Sequence, residues 1–403
     1  RDLDLGIGDT SLALGGEWRN ENYKIVPGEE ASYIAGPFTF SNGAAPGAQV
    51  FPGFQPSTAV DASRDSFAAY VELDTDLSDM FNVQVAGRYE HFSDFGDTFN
   101  GKIAARFEPV EGLAFRGAAS TGFRAPGMAQ QFFSTTSTNN VAGVGLIEIG
   151  TFPVNSPIAI ALGAQPLEPE ESVNLSAGMV FTMVDGLSLT VDYYNIEITD
   201  RIVLTENLQG ADVVALLQAA GVVGTSARFF INGIDTRTQG LDIVASYRVP
   251  DFGAGRFTLT AGYNINDAKI TDRATFSGFN AQRLFARPES FRLTDGQPSN
   301  KLNLGLTWER EPFGLSINAN RFGSVFLPDG VTTATVNGLP ASNTNQQIRN
   351  DINVAKGAAP RSEESKETAL HTVDWIATTY LLDGVAQMFS SLELIGQNNA
   401  ALG

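Results

Sequence analysis

The feature that most constrains this chain is an alternation of apolar and polar side chains with a period of two. In FAAYVELD (residues 67–74) the phenylalanine, the valine and the leucine fall on one side, whereas the tyrosine and the glutamate fall on the other. The same alternation returns in residues 81–90, 173–181, 257–265 and 302–308. Successive side chains of a β-strand point to opposite faces, so this pattern predicts an all-β chain.

Composition narrows the class of protein. The chain has 403 residues, of which 43% are hydrophobic, so it is long enough to bury a sizeable core. Its formal charge of -19 argues against a nucleic-acid partner, because few cations are available to neutralise phosphates. It contains no cysteine, which excludes disulfides and thiolate metal sites. No run of about 18 apolar residues predicts a transmembrane helix, and we expect that Arg1 is not the natural start.

Short and long connections alternate between the predicted strands. The short ones are DLSD (76–79), PVEG (109–112), MVDG (183–186), EREP (309–312) and LDG (382–384). The long ones are roughly 20–66, 124–171, 199–236, 267–300 and 323–371. Loops above about 15 residues are uncommon in compact soluble domains, and several at one end of a sheet indicate a functional mouth.

This alternation is typical of one membrane architecture. Outer-membrane barrels have short periplasmic turns, long external loops, an apolar face toward lipid and a polar lumen. The sequence therefore predicts an antiparallel transmembrane β-barrel. We count about thirteen strands, and the last one ends on the outer side. A complete bacterial barrel has an even number of strands, so we expect an incomplete one.

One sequence motif resembles a motif of a known protein family. AASTGFRAPGMAQQFF (118–133) resembles the strand-end motif of TonB-dependent outer-membrane receptors. Further stretches similar to that family's barrel are LALGGEWRNENYKIVPGEEASY (12–33), YEHFSDFG (89–96), LEPEESVNLSAGMVF (167–181), LTVDYYNIEITDRIV (189–203) and RFFINGIDTRTQGLDIVASY (228–247). Together these stretches span roughly residues 11–325, in the order that the family's barrel has.

The resemblance implies that this chain is one part of a larger receptor. The family's barrel has about 22 strands around a plug, and these thirteen resemble its strands nine to twenty-one. Residues 1–403 are then one partial barrel domain, and the plug, the energy-coupling box, the early strands and the closing strand are expected outside this chain. Residues 326–403 depart from the pattern, because FSSLELIGQNNAALG lacks the family's aromatic-rich end.

The function that the resemblance implies is energy-coupled uptake of a scarce solute across the outer membrane of a Gram-negative cell. The solute is an oligosaccharide, another organic nutrient or a ferric siderophore. The implied partners are outer-membrane lipid, the ligand, and the TonB complex through the missing N-terminal part. No enzyme activity, cofactor or metal is expected. Two alternatives stay open, namely a passive porin-like channel without a plug and a secreted all-β adhesin whose apolar faces pack against a second sheet.

Candidate ligand-binding residues lie in the motif AASTGFRAPGMAQQFF (118–133). Arg124 either meets an anionic ligand at the mouth or ties down outer-loop carbonyls and carboxylates with its planar fork. Phe123 is expected to anchor the strand end at the membrane interface. Phe132 and Phe133 are the residues that could stack on a sugar or a siderophore.

A second set of residues is predicted on the polar face, since charges on the lipid face would be destabilising. We expect it to face the lumen and to pack against the plug or line the route past it. This set is Glu72, Arg88, Glu90, Lys102, Arg106, Glu108 and Arg116.

The histidines, one acidic cluster and one helical segment are expected to have structural roles and not catalytic or metal-binding ones. His91 and His371 are far apart and are expected in solvated loops, so a catalytic triad is not predicted. Glu168, Glu170 and Glu171 could bind Ca²⁺, but they more readily mark the entry into a strand. The spacing of ADVVALLQAAG (211–221) predicts a short helix on an outer loop.

Overall fold

A computed structural model gives the fold of this chain. It describes residues 2–4, 8–34, 36, 47–48, 53–141, 145–222, 224–274, 284–285, 287–323, 335–336, 339–340, 372–381 and 390–397. The predictions for His371 and for the turn at 382–384 lie outside these ranges, as does most of the segment 326–403.

One antiparallel sheet dominates the fold. The strands are β1 (Asp2–Asp4), β2 (Asp9–Ile25), β3 (Val60–Ser78), β4 (Phe81–Phe92), β5 (Gly96–Val110), β6 (Leu113–Arg124), β7 (Thr135–Val141), β8 (Gly145–Thr151), β9 (Glu170–Phe181), β10 (Leu187–Leu204), β11 (Leu208–Gln209), β12 (Ser226–Arg228), β13 (Phe230–Arg248), β14 (Arg256–Arg273), β15 (Asn300–Arg310), β16 (Phe313–Phe322), β17 (Thr335–Val336), β18 (Leu339–Pro340), β19 (Thr372–Leu381) and β20 (Ser390–Gln397). The α-helices are α1 (Met128–Phe132), α2 (Pro157–Ala161), α3 (Ala211–Ala219) and α4 (Arg287–Thr294), and Glu30–Ser32 and Pro56–Thr58 form 3-10 turns.

The main sheet has 14 strands in the order β1-β2-β3-β4-β5-β6-β9-β10-β13-β14-β15-β16-β19-β20. Each strand therefore pairs with its neighbour along the chain, apart from the short strands in the loops. The thirteen predicted strands are confirmed, and the three-residue β1 was missed because it is too short to show a period. Within the described strands the order runs from β1 to β20 without closing, so the barrel wall is incomplete. No helix of the described part of the chain is both long and apolar enough to cross a membrane.

The two ends of the sheet differ as the sequence predicts. We call the edge with the turns after β3, β5, β9, β13 and β15 the hairpin end. The opposite edge, which we call the loop end, carries the connections 26–59, 125–169, 205–229, 274–299 and 323–371 and the short turn 93–95 between β4 and β5. Strands at the loop end continue past their predicted limits. For example, β3 begins at Val60, although residues 20–66 were expected to be a loop. The reason is that β2 and β3 stay paired out to Ile25 and Val60, where polar cross-strand pairs replace apolar ones.

One face of the sheet is an apolar belt between two aromatic rows. At the loop end Trp18 lies opposite Phe67, and Tyr89 lies opposite Phe99. At the hairpin end the ring centroids are 6.4 Å apart in Phe81–Phe107 and also in Phe257–Trp308. On β4, the eight steps from Phe81 to Tyr89 span about 26 Å of strand, similar to the apolar band of about 25 Å on outer-membrane barrels.

Polar pairs mark the upper limit of this belt. On the same face, two residues beyond Trp18, the Asn20 amide donates to Asp65 Oδ1 at 2.9 Å. Four residues further, Lys24 Nζ lies 2.6 Å from Asp61 Oδ2. Such pairs are unsuited to hydrocarbon, so the apolar belt ends between the aromatic row and these residues.

The most deeply buried apolar core lies in the loops. The connections after β6, β10 and β14 contribute to one cluster that includes Leu162, Leu217, Phe229 and Leu284. The four-stranded sheet β11-β12-β8-β7 and the helices α2 and α3 frame this cluster, which we call the loop assembly. The helix predicted at 211–221 is confirmed as α3, and its buried Val213 and Leu217 show why it forms.

Candidate functional site

Phe123 and Arg124 lie at the loop end of β6 and project to opposite faces of the sheet. Phe123 pairs with Glu171, and Arg124 pairs with Glu170, across the β6–β9 ladder. The register puts Phe123 on the apolar face and Arg124 on the polar face, because successive side chains alternate.

Arg124 holds a buried carboxylate. Its Nε donates to Glu170 Oε2 at 2.8 Å, and its Nη2 donates to Glu170 Oε1. The Glu170 side chain is 6% exposed, and its Oε1 also accepts the backbone N–H of Ile202 at 2.7 Å. The hydrogen bond to Glu170 raises the pKa of Arg124. One carboxylate therefore ties β6, β9 and β10 together at the mouth.

Phe123 belongs to an aromatic cluster. Its ring lies edge-on to Phe92 with a centroid distance of 5.6 Å, and 6.5 Å from Phe95. Phe92 and Phe95 stack with their centroids 4.4 Å apart. The phenylalanine thus packs on the β4–β5 hairpin.

Arg64, which the sequence analysis missed, occupies the centre of this region. Its Nε donates to Glu21 Oε2 at 2.9 Å, and its Nη1 donates to the Pro126 carbonyl at 2.8 Å and to Asp94 Oδ2 at 3.4 Å. The guanidinium also lies 5.5 Å from the centroid of the Phe92 ring, and its side chain is 6% exposed. Arg64 therefore joins β2, the β4–β5 hairpin and the segment after β6.

Phe132 and Phe133 end the α1 region, next to this cluster. Both are half-buried. Phe133 lies edge-on to Phe54 of the first long loop, with ring centroids 6.2 Å apart. Gln131 Nε2 donates to Asp94 Oδ2 at 3.0 Å, which connects α1 to the Arg64 group. The structure thus pairs Phe123 with the β4–β5 hairpin and Phe133 with the first loop.

The seven residues predicted to face the lumen share the polar face of β3–β6, as the strand registers show. They form ion pairs and hydrogen bonds along the strands. Arg88 Nη2 lies 3.0 Å from Glu17 and 2.5 Å from Glu90. Arg116 donates from Nε to Asp192 Oδ1 at 2.8 Å and from Nη2 to Asp192 Oδ2 at 2.6 Å. The remaining contacts are Lys102 to Gln84 at 2.7 Å, Gln84 to Glu72 at 2.5 Å and Arg106 to Glu108 at 2.5 Å.

A cavity of about 420 Å³ opens on this face. Its lining includes Tyr70, Glu72, Arg88, Asn100 and Lys102. Because its charges are already paired, the cavity presents a largely neutralised polar surface to whatever fills the lumen.

The histidine and the acidic cluster have structural partners. His91 lies in β4, not in a loop, and its Nδ1 is 2.7 Å from Asp97 Oδ1. Glu170 and Glu171 begin β9, in agreement with strand entry. Among the residues that the structure describes, no group of three or more metal-ligating side chains lies close enough to hold a metal ion.

An acidic corner lies at the loop end of β10. Asp200 has a left-handed backbone, with φ at 53°, where the β10–β13 register shifts between Ile198 and Arg201. Its N–H donates to Asp235 Oδ1 at 3.0 Å. Burial raises the pKa of Asp200, and the charges of Asp235 and Glu168 raise it further.

We expect Asp200→Asn to stabilise the protein at pH 7 by about 0.5 kcal/mol, since asparagine tolerates this backbone and carries no charge. An acid whose folded-state pKa is raised loses stability as the pH rises through the range between its unfolded and folded pKa values. The gain over wild type should therefore be larger at pH 7 than at pH 4. Thermal unfolding at both pH values measures it, and an equal gain at both would contradict the electrostatic explanation.

The fold and these faces define a class of protein, an outer-membrane type of β-barrel wall with elaborate loops at one end. A family model described as TonB dependent receptor-like, beta-barrel matches residues 2–355. The chain belongs to this family, which confirms the resemblance seen in the sequence. No curated protein sequence matches it significantly.

Solved structures with this fold include receptors of the same family. The ferric enterobactin receptor of Pseudomonas aeruginosa matches with a TM-score of 0.56 and 12% identity, over 94% of this chain and 44% of that chain. The siderophore receptor PirA of the same organism gives 0.53 and 14%, over 94% and 51%. The FrpB iron transporter of Neisseria meningitidis gives 0.50 and 12%, over 98% and 52%. This chain thus spans about half the length of the structures it matches.

Proposed function

We propose that this chain is part of the barrel of an outer-membrane receptor that takes up a scarce solute with energy from the TonB complex. The observation that carries the proposal is the division of one sheet into an apolar belt between aromatic rows and a polar inner face, with folded loops at one end only. A belt of this kind suits lipid, and the loop end suits contact with the exterior. The proposed location is the outer membrane of a Gram-negative cell.

The polar face supports a plug in the intact receptor. A water-filled pore would leave charged side chains free to hydrate, whereas Arg88 is held by Glu17 and Glu90, and Arg116 is held by Asp192. Fixed polar surfaces of this kind suit packing against a folded domain, because each charge keeps its partner when water is excluded. Residues 1–403 would then be one partial barrel domain, with the plug contributed by another part of the receptor.

The test uses the receptor that contains this chain, expressed in a Gram-negative host. Cells are supplied with a labelled ferric tricatecholate and, separately, with a labelled maltooligosaccharide. We expect accumulation of at least one probe to fall more than tenfold when the proton gradient is collapsed or the TonB gene is deleted. Accumulation that continues unchanged would instead identify a passive channel.

A control uses residues 1–403 alone in lipid vesicles. The edges β1 and β20 would leave backbone groups without partners in lipid, which costs several kcal/mol each. We therefore expect no ligand-specific uptake from this piece, so that any flux seen in cells belongs to the whole receptor.

A further inference from the structure

The polar inner face changes character around the sheet. Along β3–β6 it is built from ion pairs. Along β13–β16 amides and hydroxyls replace most of the charges. The Asn303 amide donates to Asn320, Asn318 donates to Ser316 Oγ at 3.4 Å, and the hydroxyls of Thr307 and Ser316 are 3.5 Å apart. The second half of the wall therefore offers groups that both donate and accept hydrogen bonds without net charge.

Tyr194 lies on the same inner face, on β10 beside this amide-rich half. It pairs with Gly240 across the β10–β13 ladder, and its side chain lies over that glycine. A Cβ at position 240 would stand 2.2 Å from the Tyr194 hydroxyl oxygen and 2.3 Å from Cζ. Only glycine leaves room for the ring to lie against the wall, so one ring face packs on backbone at the inner face of the sheet.

Polar side chains flank this ring. Asn264 Nδ2 donates to Asp242 Oδ1 at 2.6 Å and to the Tyr194 hydroxyl at 3.5 Å. Asn266 Nδ2 donates to Asn264 Oδ1 at 3.2 Å. All four side chains are half-buried on the inner face of the sheet.

We propose that Tyr194, Asp242 and Asn264 form a binding subsite for an uncharged polyhydroxylated solute of the sugar type. The proposal rests on the proposed function and specifies its substrate class. The exposed face of an aromatic ring takes the apolar C–H face of a sugar ring, and adjacent amide and carboxylate groups bind its hydroxyls. Neither interaction requires a charge on the solute.

The charges at the loop end favour the same class. Three arginines that the structure describes there are held by carboxylates: Arg64 by Glu21 and Asp94, Arg124 by Glu170, and Arg237 by Glu197. An anionic ferric chelate would have to break such pairs, which is costly where they are buried. The chain's net charge of -19 also repels anions at a distance.

Tyr70 provides a matched comparison on the charged half of the wall. It also lies over a glycine, since a Cβ at Gly15 would stand 2.1 Å from Tyr70 Cζ. However, the Arg88 guanidinium lies over its ring, 5.8 Å from the centroid. A sugar ring would have to displace this cation, so Tyr70 should contribute little to sugar binding.

The experiment compares Tyr194→Leu with Tyr70→Leu in the purified receptor that contains this chain. Binding of neutral maltooligosaccharides is measured by saturation-transfer NMR and calorimetry, beside binding of a ferric tricatecholate. We expect Tyr194→Leu to weaken sugar binding at least tenfold, and Tyr70→Leu to change it less than twofold. Gly240→Ala, which displaces the ring without removing it, should weaken binding in the same direction. Heat-modifiable electrophoretic mobility confirms that each variant is folded.

Three results would overturn the proposal: no neutral sugar binds, sugar binding falls equally in both tyrosine variants, or sugar binding is unchanged in Tyr194→Leu. These results are separate from the test of energy coupling. If the ferric tricatecholate accumulates in a TonB-dependent way while sugars do not bind, the proposed function stands and the subsite does not.

Discussion

Replacing Arg64 with leucine is expected to destabilise the receptor by about 2–4 kcal/mol, somewhat below the range for removing one partner of a fully buried ion pair. The expected loss of stability is smaller because the side chains of Glu21 and Asp94 are 34% and 24% exposed and would regain some water. The Pro126 carbonyl would lose its donor, and the segment leading to α1 would lose its link to β3. We therefore also expect weaker ligand binding, because Phe132 and Phe133 follow directly on that segment.

The stability effect is measured by urea unfolding in lipid vesicles. Arg19→Leu is the matched control, because Arg19 lies on β2, is 60% exposed and pairs with Glu17 at 3.3 Å. We expect its effect to stay within about 0.5 kcal/mol, as for most surface substitutions. Equal losses in the two variants would show that Arg64 acts as an ordinary surface cation.

Replacing Arg124 with alanine is expected to destabilise the mouth by about 3 kcal/mol, because it leaves the buried Glu170 carboxylate without its counter-ion. Glu170→Gln, which keeps the shape and an acceptor for the Ile202 N–H, should cost about 1 kcal/mol. If Arg124 served to bind an anionic ligand, its removal would reduce binding without loosening the strands.

Hydrogen exchange separates these explanations. The Ile202 amide should exchange faster in Arg124→Ala and faster still in Glu170→Ala, which removes its acceptor altogether. Glu171→Ala is the matched control, because Glu171 is exposed and lies on the opposite face of β9. If the Ile202 amide is as well protected in Arg124→Ala and Glu170→Ala as in the Glu171→Ala control, Glu170 does not tie β6, β9 and β10 together.

The long strands could be predicted from the sequence because apolar and polar residues alternate within the apolar belt, as in residues 81–90 and 257–265. Their extensions beyond the belt could not. Between the apolar belt and the loop end, both faces of β2 and β3 are polar, as in the pairs Asn20–Asp65 and Lys24–Asp61. A period of two therefore no longer appears there as a change in hydrophobicity. The loop assembly was hidden for a different reason: its core combines residues from three separate connections, and no single segment carries the whole pattern.

The candidate site was likewise predictable only in part from the sequence. The sequence indicated that Arg124 could fork a carboxylate, but it did not identify Glu170 as the partner 46 residues away. Arg64 was assigned to a loop, although it shares the parity of Ala68, Tyr70 and Glu72 and so continues the polar face of β3. Extending the alternation backwards from residue 67 would have placed it on that face.

The shared core of the loop assembly limits how specificity could be moved between relatives. Leu162 and Ala164 come from the connection after β6, Leu208 and Phe229 from the one after β10, and Leu284 from the one after β14. A chimera that transplants one of these connections would leave foreign side chains against two native ones, with voids or clashes in a close-packed interior. The three connections are thus a single graft, and a donor receptor has to supply all of them together.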